Sequence, residues 1–381
     1  MASAAPTRLT GLDLFRGLTV AGMVIVNTPG NENYVWWPLD HAPWNGFTPT
    51  DLVFPAFLFA VGVALGLSFP RVVDGATWRR VARRTVSLIA LGWAWQMLAR
   101  PGIASFRLMG VLPRIGLCYG IVATFVLLTA RKDAEGRSRP NPRAIAIAAL
   151  AILAGYTALM LLVPVPGYGA GQLTPDGSLA SYIDQQILTP AHMWKFGTAT
   201  PDSSVVVYDP EGLLSTLPSL ANVLFGLLAT LWWQRAPDRA TRGLVTGGVL
   251  LAVAGLAVTP LMPLNKSLWS SSFALFSSGL SAILLALAMV VSGREALRRW
   301  MTPFRLLGMN AIMGYMISLL LALAGTRIHI GGHKLGVIAF DAMHALIPDP
   351  YVASFACALA VLALTIGLIV PLHRRGIHLR L

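Results

Sequence analysis

The amino-acid sequence predicts an all-α polytopic membrane protein of about ten transmembrane helices, N-in and C-in, without a separate soluble domain. Three observations predict it. Charged residues make up 12% of the chain, half of the roughly 25% that soluble domains carry. The mean hydropathy is +0.66. Apolar runs long enough to cross about 30 Å of hydrocarbon recur along all 381 residues. These runs are continuously apolar and do not alternate, which favours helices over a barrel. The same composition excludes an ordinary soluble enzyme, a disordered chain, a collagen and a disulfide scaffold. Cys118 and Cys357, the two cysteines, lie inside apolar runs and read as core residues. The start of the chain, Met1 to Thr10, shows no secretory leader pattern.

The spans fall near 12–30, 51–69, 84–99, 109–129, 144–163, 213–233, 243–261, 272–291, 303–323 and 352–372, as one transmembrane domain over 1–381. The first opens with Asp13 and Arg16. The third is short, because Arg79, Arg80, Arg83 and Arg84 run into its start. With the N-terminus inside, 21 of the 29 Lys and Arg fall on inner segments and 6 on outer ones. That asymmetry sets the orientation by the positive-inside rule. It also accounts for the net charge of +13 without nucleic acid, since the basic residues are spread over several loops and form no single face. Inner loops are short and basic. The outer segments 31–50, 164–212 and 326–351 are long and hold Trp, Tyr, Asn, Asp, Pro and most of the histidines. Chemistry or recognition is therefore expected on the outer face.

The most unusual stretch is Leu39-Asp40-His41-Ala42-Pro43-Trp44-Asn45-Gly46-Phe47-Thr48-Pro49-Thr50-Asp51, which gathers a His, an Asn and two Asp between two spans. His41 and Trp44 read either as interfacial rings or as parts of a site. Asn27, at the outer end of the first span, is either a helix-bridging amide or a donor to a developing oxyanion. Asp13 and Arg16 share a helix face. Arg114 lies inside the fourth span, where a charge needs a partner or a cavity, and Asp51 is a plausible partner. Asp209 and Glu211 sit just before the sixth span, either as caps of that helix N-terminus or as substrate ligands. His329 and His333 flank two glycines, which argues against a helix there. No third ligand stands out beside them for a metal. No nucleophile elbow, phosphate loop or dinucleotide fingerprint occurs.

Taken in order, several motifs resemble the core of the heparan-α-glucosaminide N-acetyltransferase family, whose bacterial relatives include proteins called NagX. They are Leu12-Asp13-Leu14-Phe15-Arg16-Gly17, Val26-Asn27, His41-Ala42-Pro43-Trp44-Asn45-Gly46, Asp51-Leu52-Val53-Phe54-Pro55, Gly110-Val111-Leu112-Pro113-Arg114-Ile115, Tyr208-Asp209-Pro210-Glu211-Gly212, Pro263-Leu264-Asn265-Lys266-Ser267-Leu268-Trp269 and Gly308-Met309-Asn310-Ala311. The resemblance implies an enzyme that takes an acetyl group from cytosolic acetyl-CoA. The group goes to the amine of a glucosamine on the far side of a bacterial inner membrane. His41 is then the catalytic residue, with Asn27 beside it and Asp51 in support. Asp40, Trp44, Asn45, Asp209, Glu211, Asn265 and Lys266 are expected on the sugar, and Arg16, Arg114 and Asn310 on the acetyl-CoA. No metal is implied. A homodimer is.

Physically, the polyanionic nucleotide stays at the basic inner face while the thioester reaches His41. An imidazole changes charge near neutral pH, so it can accept the amine proton or carry the acetyl group. Two other readings remain. A sugar transporter also suits ten spans, but predicts internal repeats and helices broken near the midplane. An O-acyltransferase of a cell-surface glycan keeps the chemistry and changes the acceptor.

Overall fold

The structure, a computed structural model, describes residues 5–200 and 202–377, with side chains from residue 10 onward. Arg8 and Arg380, both expected on the inner side, and residues 1–9 as a whole lie outside the described side chains.

Helix dominates. In chain order the helices are α1 (Ala5–Asn27), α2 (Val53–Leu67), α3 (Gly75–Ala99), α4 (Val111–Leu128), α5 (Pro142–Leu162), α6 (Leu179–Ile187) and α7 (Thr216–Arg235). They continue as α8 (Ala240–Val258), α9 (Ser271–Ser292), α10 (Arg298–Met309), α11 (Ala311–Arg327), α12 (Leu335–Leu346) and α13 (Pro350–Arg374). Helix starts are chemically marked. The side chains of Asp74, Asn141, Ser178 and Asp349 accept backbone N–H groups at the starts of α3, α5, α6 and α13. Proline follows the cap in α5 and α13, where its missing N–H costs nothing.

Seven helices among the described residues are long and apolar enough to cross a membrane. They are α4, α5, α7, α9, α13 and, each with its leading 3-10 turn, α2 (Pro49–Leu67) and α8 (Pro237–Val258). Two further expected spans, α1 and α3, are long helices whose Asp and Arg residues dilute the apolar pattern. The span expected near 303–323 is not continuous. α10 and α11 meet at 88°, with Asn310 between them outside the helical conformation. The physical reason is local. Asn310 Nδ2 donates to Leu306 O at 2.9 Å, and so satisfies a carbonyl at the end of α10 from outside the ladder.

The remaining elements decorate helix ends. Residues Arg131–Lys132 (β1) pair antiparallel with Ser138–Arg139 (β2). His329–Ile330 (β3) pair with His333–Lys334 (β4). Gly331 and Gly332 turn the second hairpin at φ 58° and 85°, which glycine adopts without steric cost. The expectation of no helix between His329 and His333 is thus met.

The chain divides into two compact units. The first holds residues 1–42, 48–57 and 284–380, the second 43–47 and 58–283. In the first, α1 crosses α10, and α11 and α13 complete the packing. The crossing is close enough to exclude side chains. A Cβ on Gly17 would sit 1.7 Å from Phe304 O, and one on Gly308 would sit 1.8 Å from Asp13 O. In the second unit, α3 packs on α4, and α7 packs on α4, α5 and α8. Gly62 and Gly226 play the same part where α2 meets α7. Small residues that let backbones approach are the usual means of helix association in lipid, where hydrophobicity supplies no drive.

Gly17→Ala is expected to destabilise the folded protein in detergent by about 3 kcal/mol, the upper part of the range for overpacking. Gly155→Ala, on α5 with open space around it, is expected to leave stability unchanged. Thermal unfolding of both variants, followed by circular dichroism, makes the comparison.

Candidate active site

In the first unit, the loop between α1 and α2 is organised by one carboxylate. Asp51 is 1% exposed and lies in the 3-10 turn Pro49–Leu52 that leads into α2. Its Oδ2 accepts from Thr48 N at 3.1 Å and Ala42 N at 3.2 Å. The first of these contacts is the return half of a capping box. Its Oδ1 meets His41 Nδ1 at 2.7 Å. An ionised carboxylate can only accept, so Nδ1 carries the proton and Nε2 carries the ring's lone pair. Asp40 completes the backbone frame. Its Oδ1 accepts from His41 N at 2.7 Å, and its carbonyl accepts from Thr48 Oγ1 at 2.6 Å. The His41 side chain is 48% exposed. The result is an imidazole of fixed tautomer on a rigid loop, open to an incoming group. Such a group can take a proton or an acyl group at Nε2.

Asn27 is the last residue of α1 and is exposed. Its side chain carries no hydrogen bond among the described residues. Arg16 lies half-buried in α1. Asn310, besides its bond to Leu306, stands 3.3 Å from His373 Nδ1 on α13.

The second unit gathers the other expected residues. Trp44 Nε1 donates to Leu173 O at 2.8 Å, and its ring meets Tyr208 edge-on at 4.9 Å. Asn45 Oδ1 accepts from Asn265 Nδ2 at 3.1 Å across 220 residues of sequence. Asn265 Oδ1 in turn accepts from Leu268 N at 2.7 Å, closing the turn that precedes α9. Lys266 is half-buried in the same turn.

Asp209 and Glu211 do not cap α7. Both turn to Arg107, whose Nε donates to Asp209 Oδ2 at 2.8 Å and whose Nη2 reaches both carboxylates. Burial alone would lower the Arg107 pKa, but the two carboxylates outweigh it and raise it. Asp209 is also fixed by Trp194 N at 2.8 Å and Glu211 N at 2.9 Å. Arg114, for which the sequence offered Asp51, has its partners within the second unit. It is fully buried, donates from Nη2 to Gly212 O at 3.0 Å and to Ser215 Oγ, and lies 5.0 Å from the Trp269 ring centre.

Three residues of this region escaped the sequence reading. Arg107 was visible only as one of few basic residues on an outer segment. Asn222 lies mid-span in α7, accepts from Trp269 Nε1 at 2.8 Å and donates to Ser278 Oγ at 2.8 Å. A lone amide within an apolar run marks such a contact. Asp184 on α6 accepts from Leu213 N at 2.8 Å. Burial pushes its pKa up from 3.8 to about 7. No group of three His, Cys, Asp or Glu side chains gathers for a metal among the described residues.

The chain is similar to known proteins. Residues 8–167 match the family described as heparan-alpha-glucosaminide N-acetyltransferase, catalytic. That segment contains Arg16, Asn27, His41, Asp51 and Arg114. The heparan-alpha-glucosaminide N-acetyltransferase of Homo sapiens is 30% identical over 359 residues, covering 82% of this chain and 53% of the relative. The protein of that name from Mus musculus is 27% identical over 356 residues, covering 81% and 53%. The chain thus spans about half the length of these relatives. The resemblance read from the ordered motifs is borne out.

The Asp184 pKa has a signed consequence. The folded state holds the proton more tightly than the unfolded chain, so stability falls as pH rises from about 4 to about 7 and then levels. Asp184→Asn keeps the acceptor for Leu213 N. It is expected to flatten that slope and to be more stable than the parent above pH 7. Unfolding midpoints measured from pH 4 to 8 test this.

Proposed function

We propose that this chain, whose residues 8–167 carry the catalytic segment of the heparan-α-glucosaminide N-acetyltransferase family, is a transmembrane acetyltransferase. It transfers the acetyl group of acetyl-CoA to the amine of a glucosamine-type sugar on the extracytoplasmic side of a bacterial inner membrane. The observation that carries the reading is the His41–Asp51 pair, a half-exposed imidazole backed by a buried carboxylate within the matched segment. Carboxylates support catalytic histidines in this way elsewhere, holding the tautomer and stabilising the cation that forms.

In the proposed reaction the sugar amine attacks the thioester carbonyl. The C–N bond forms, the C–S bond breaks, and the amine proton passes to His41 Nε2. The departing thiolate of CoA takes up a proton. In the covalent variant, Nε2 attacks first, CoA leaves, and the amine then displaces the imidazole. A ping-pong pattern and a trapped acetyl-imidazole mark the second route, sequential kinetics the first. Asn27 donates to the oxyanion. Asp40, Trp44, Asn45, Asp209, Glu211, Asn265 and Lys266 belong to the sugar side of this reading, and Arg16, Arg114 and Asn310 to the acetyl-CoA side. Asp209 and Glu211 serve it indirectly, as the buried clamp on Arg107. A homodimer is part of the proposal and would appear as twice the chain mass in native mass spectrometry.

The reading carries the ten-span, N-in topology with it. Within the second unit, helix ends alternate as that topology needs. The end of α2, the start of α5 and the end of α7 line one groove, while the start of α4 is tied to the segment before α7 through Arg114. One observation favours the transporter reading, the break between α10 and α11. Movement of labelled N-acetylglucosamine into vesicles without acetyl-CoA would support it.

His41→Ala is expected to abolish transfer while leaving acetyl-CoA binding intact. Asn27→Ala should slow turnover about a hundredfold to a thousandfold, as loss of an oxyanion donor does. Asp51→Asn should be less severe. Transfer at the parent rate by purified His41→Ala protein would refute the assignment.

Topology has its own test. Cysteines placed at the exposed positions Glu135 and Ala170 should label only from the cytosol and only from outside, respectively. Labelling of both from one side would overturn the orientation.

A further inference from the structure

A cavity of about 730 Å³ opens in the second unit, away from every residue placed in the reaction above. Its walls are the last turn of α2, the last turn of α7, the start of α5 and the β1–β2 hairpin. Three of these are the ends of helices long and apolar enough to cross a membrane, so the cavity lies where the hydrocarbon gives way to headgroups. Its lining has two characters. Leu67, Phe69 and Trp232 supply apolar surface, and Arg71, Arg139 and Arg235 supply positive charge. The lining contains no carboxylate.

The three arginines are unequal. Arg139 Nε donates to Asp133 Oδ2 at 3.0 Å, and Asp133 is also held by Arg137, so the hairpin positions this guanidinium. Ser138 N donates to Arg71 O at 2.7 Å, which ties the hairpin to the chain just after α2. The guanidinium groups of Arg71 and Arg235 make no ion pair with any described residue. Both are exposed. Trp232 is 47% exposed, as an amphipathic ring at a membrane interface is.

We propose that this cavity binds the phosphate headgroup of an anionic phospholipid. Guanidinium groups match phosphate oxygens in a bidentate fork, and basic pockets between transmembrane helices are suited to such headgroups. The apolar surface accounts for the glycerol and the first methylenes of the acyl chains, which a soluble phosphate lacks. The volume falls in the range of ligand pockets, about 300–1,000 Å³. Like charges lining one cavity without a carboxylate repel, and a phosphate bound among them relieves that repulsion.

The test uses the full chain in mild detergent and native mass spectrometry with added phosphatidylglycerol, cardiolipin or phosphatidylcholine. The expected result is retention of phosphatidylglycerol or cardiolipin over phosphatidylcholine. Arg71→Gln and Arg235→Gln should each weaken retention about fivefold, following roughly 1 kcal/mol per basic residue near an anionic surface. Arg242→Gln, outside the cavity lining, should not. Thermal unfolding of each variant in lipid-free detergent identifies any that fails to fold, and for such a position the Lys variant replaces Gln. Equal retention of phosphatidylcholine, or unchanged retention in both cavity variants, would overturn the proposal. So would displacement of the lipid by micromolar adenosine 3′,5′-bisphosphate, which would make this a nucleotide-phosphate site.

Discussion

The buried carboxylate of Asp51 is the constraint around which the first part of the chain is arranged. A carboxylate removed from water must be met by donors or it takes up a proton. Here it is met by two backbone N–H groups and an imidazole. The backbone contacts tie Ala42 and Thr48 to Asp51 just before α2, and the imidazole contact orients His41. One group therefore serves both the helix start and the reactive ring. Removing its charge touches folding and chemistry together, whereas removing the ring touches chemistry alone.

Arg107 plays a comparable part in the second unit. Asp209 and Glu211 are 2% and 8% exposed, and two carboxylates this close would repel without a cation between them. Arg107 supplies it, and its planar fork sets the angle between the two. The clamp joins the segment before α4 to the segment before α7. A few residues away, Arg114 bonds the carbonyl of Gly212. A Cβ on that glycine would meet Asp184 Oδ2 at 1.7 Å. Five ionisable side chains are thus packed about one turn of backbone with no space for a larger residue.

Much of this was legible in the sequence, and what was hidden follows a pattern. Long apolar runs announced α2, α4, α5, α7, α8, α9 and α13, because the cost of unpaired backbone in lipid leaves such runs only helix to adopt. The break at Asn310 was hidden because Gly308-Met309-Asn310-Ala311 keeps the run apolar on average, and one amide bonding its own helix end leaves no trace in hydropathy. His41 and Asp51 could be paired as neighbours in one motif. Arg107 could not be paired with Asp209, nor Asn45 with Asn265, because those contacts span 102 and 220 residues and no local period records them. Arg114 was correctly marked as a buried charge. Its actual partners are a carbonyl and a hydroxyl, which carry no charge to betray them.

The bend between α10 and α11 alters the electric field inside the first unit. An unbroken helix would carry a single macrodipole with its poles at the two membrane surfaces. Breaking it at Asn310 brings the negative pole of α10 and the positive pole of α11 to one residue, with the axes 88° apart. The two half-charges lie within a few ångströms and nearly cancel at a distance, while close by they form a small oriented dipole. Asn310 meets the negative pole directly, its Nδ2 donating to Leu306 O at 2.9 Å.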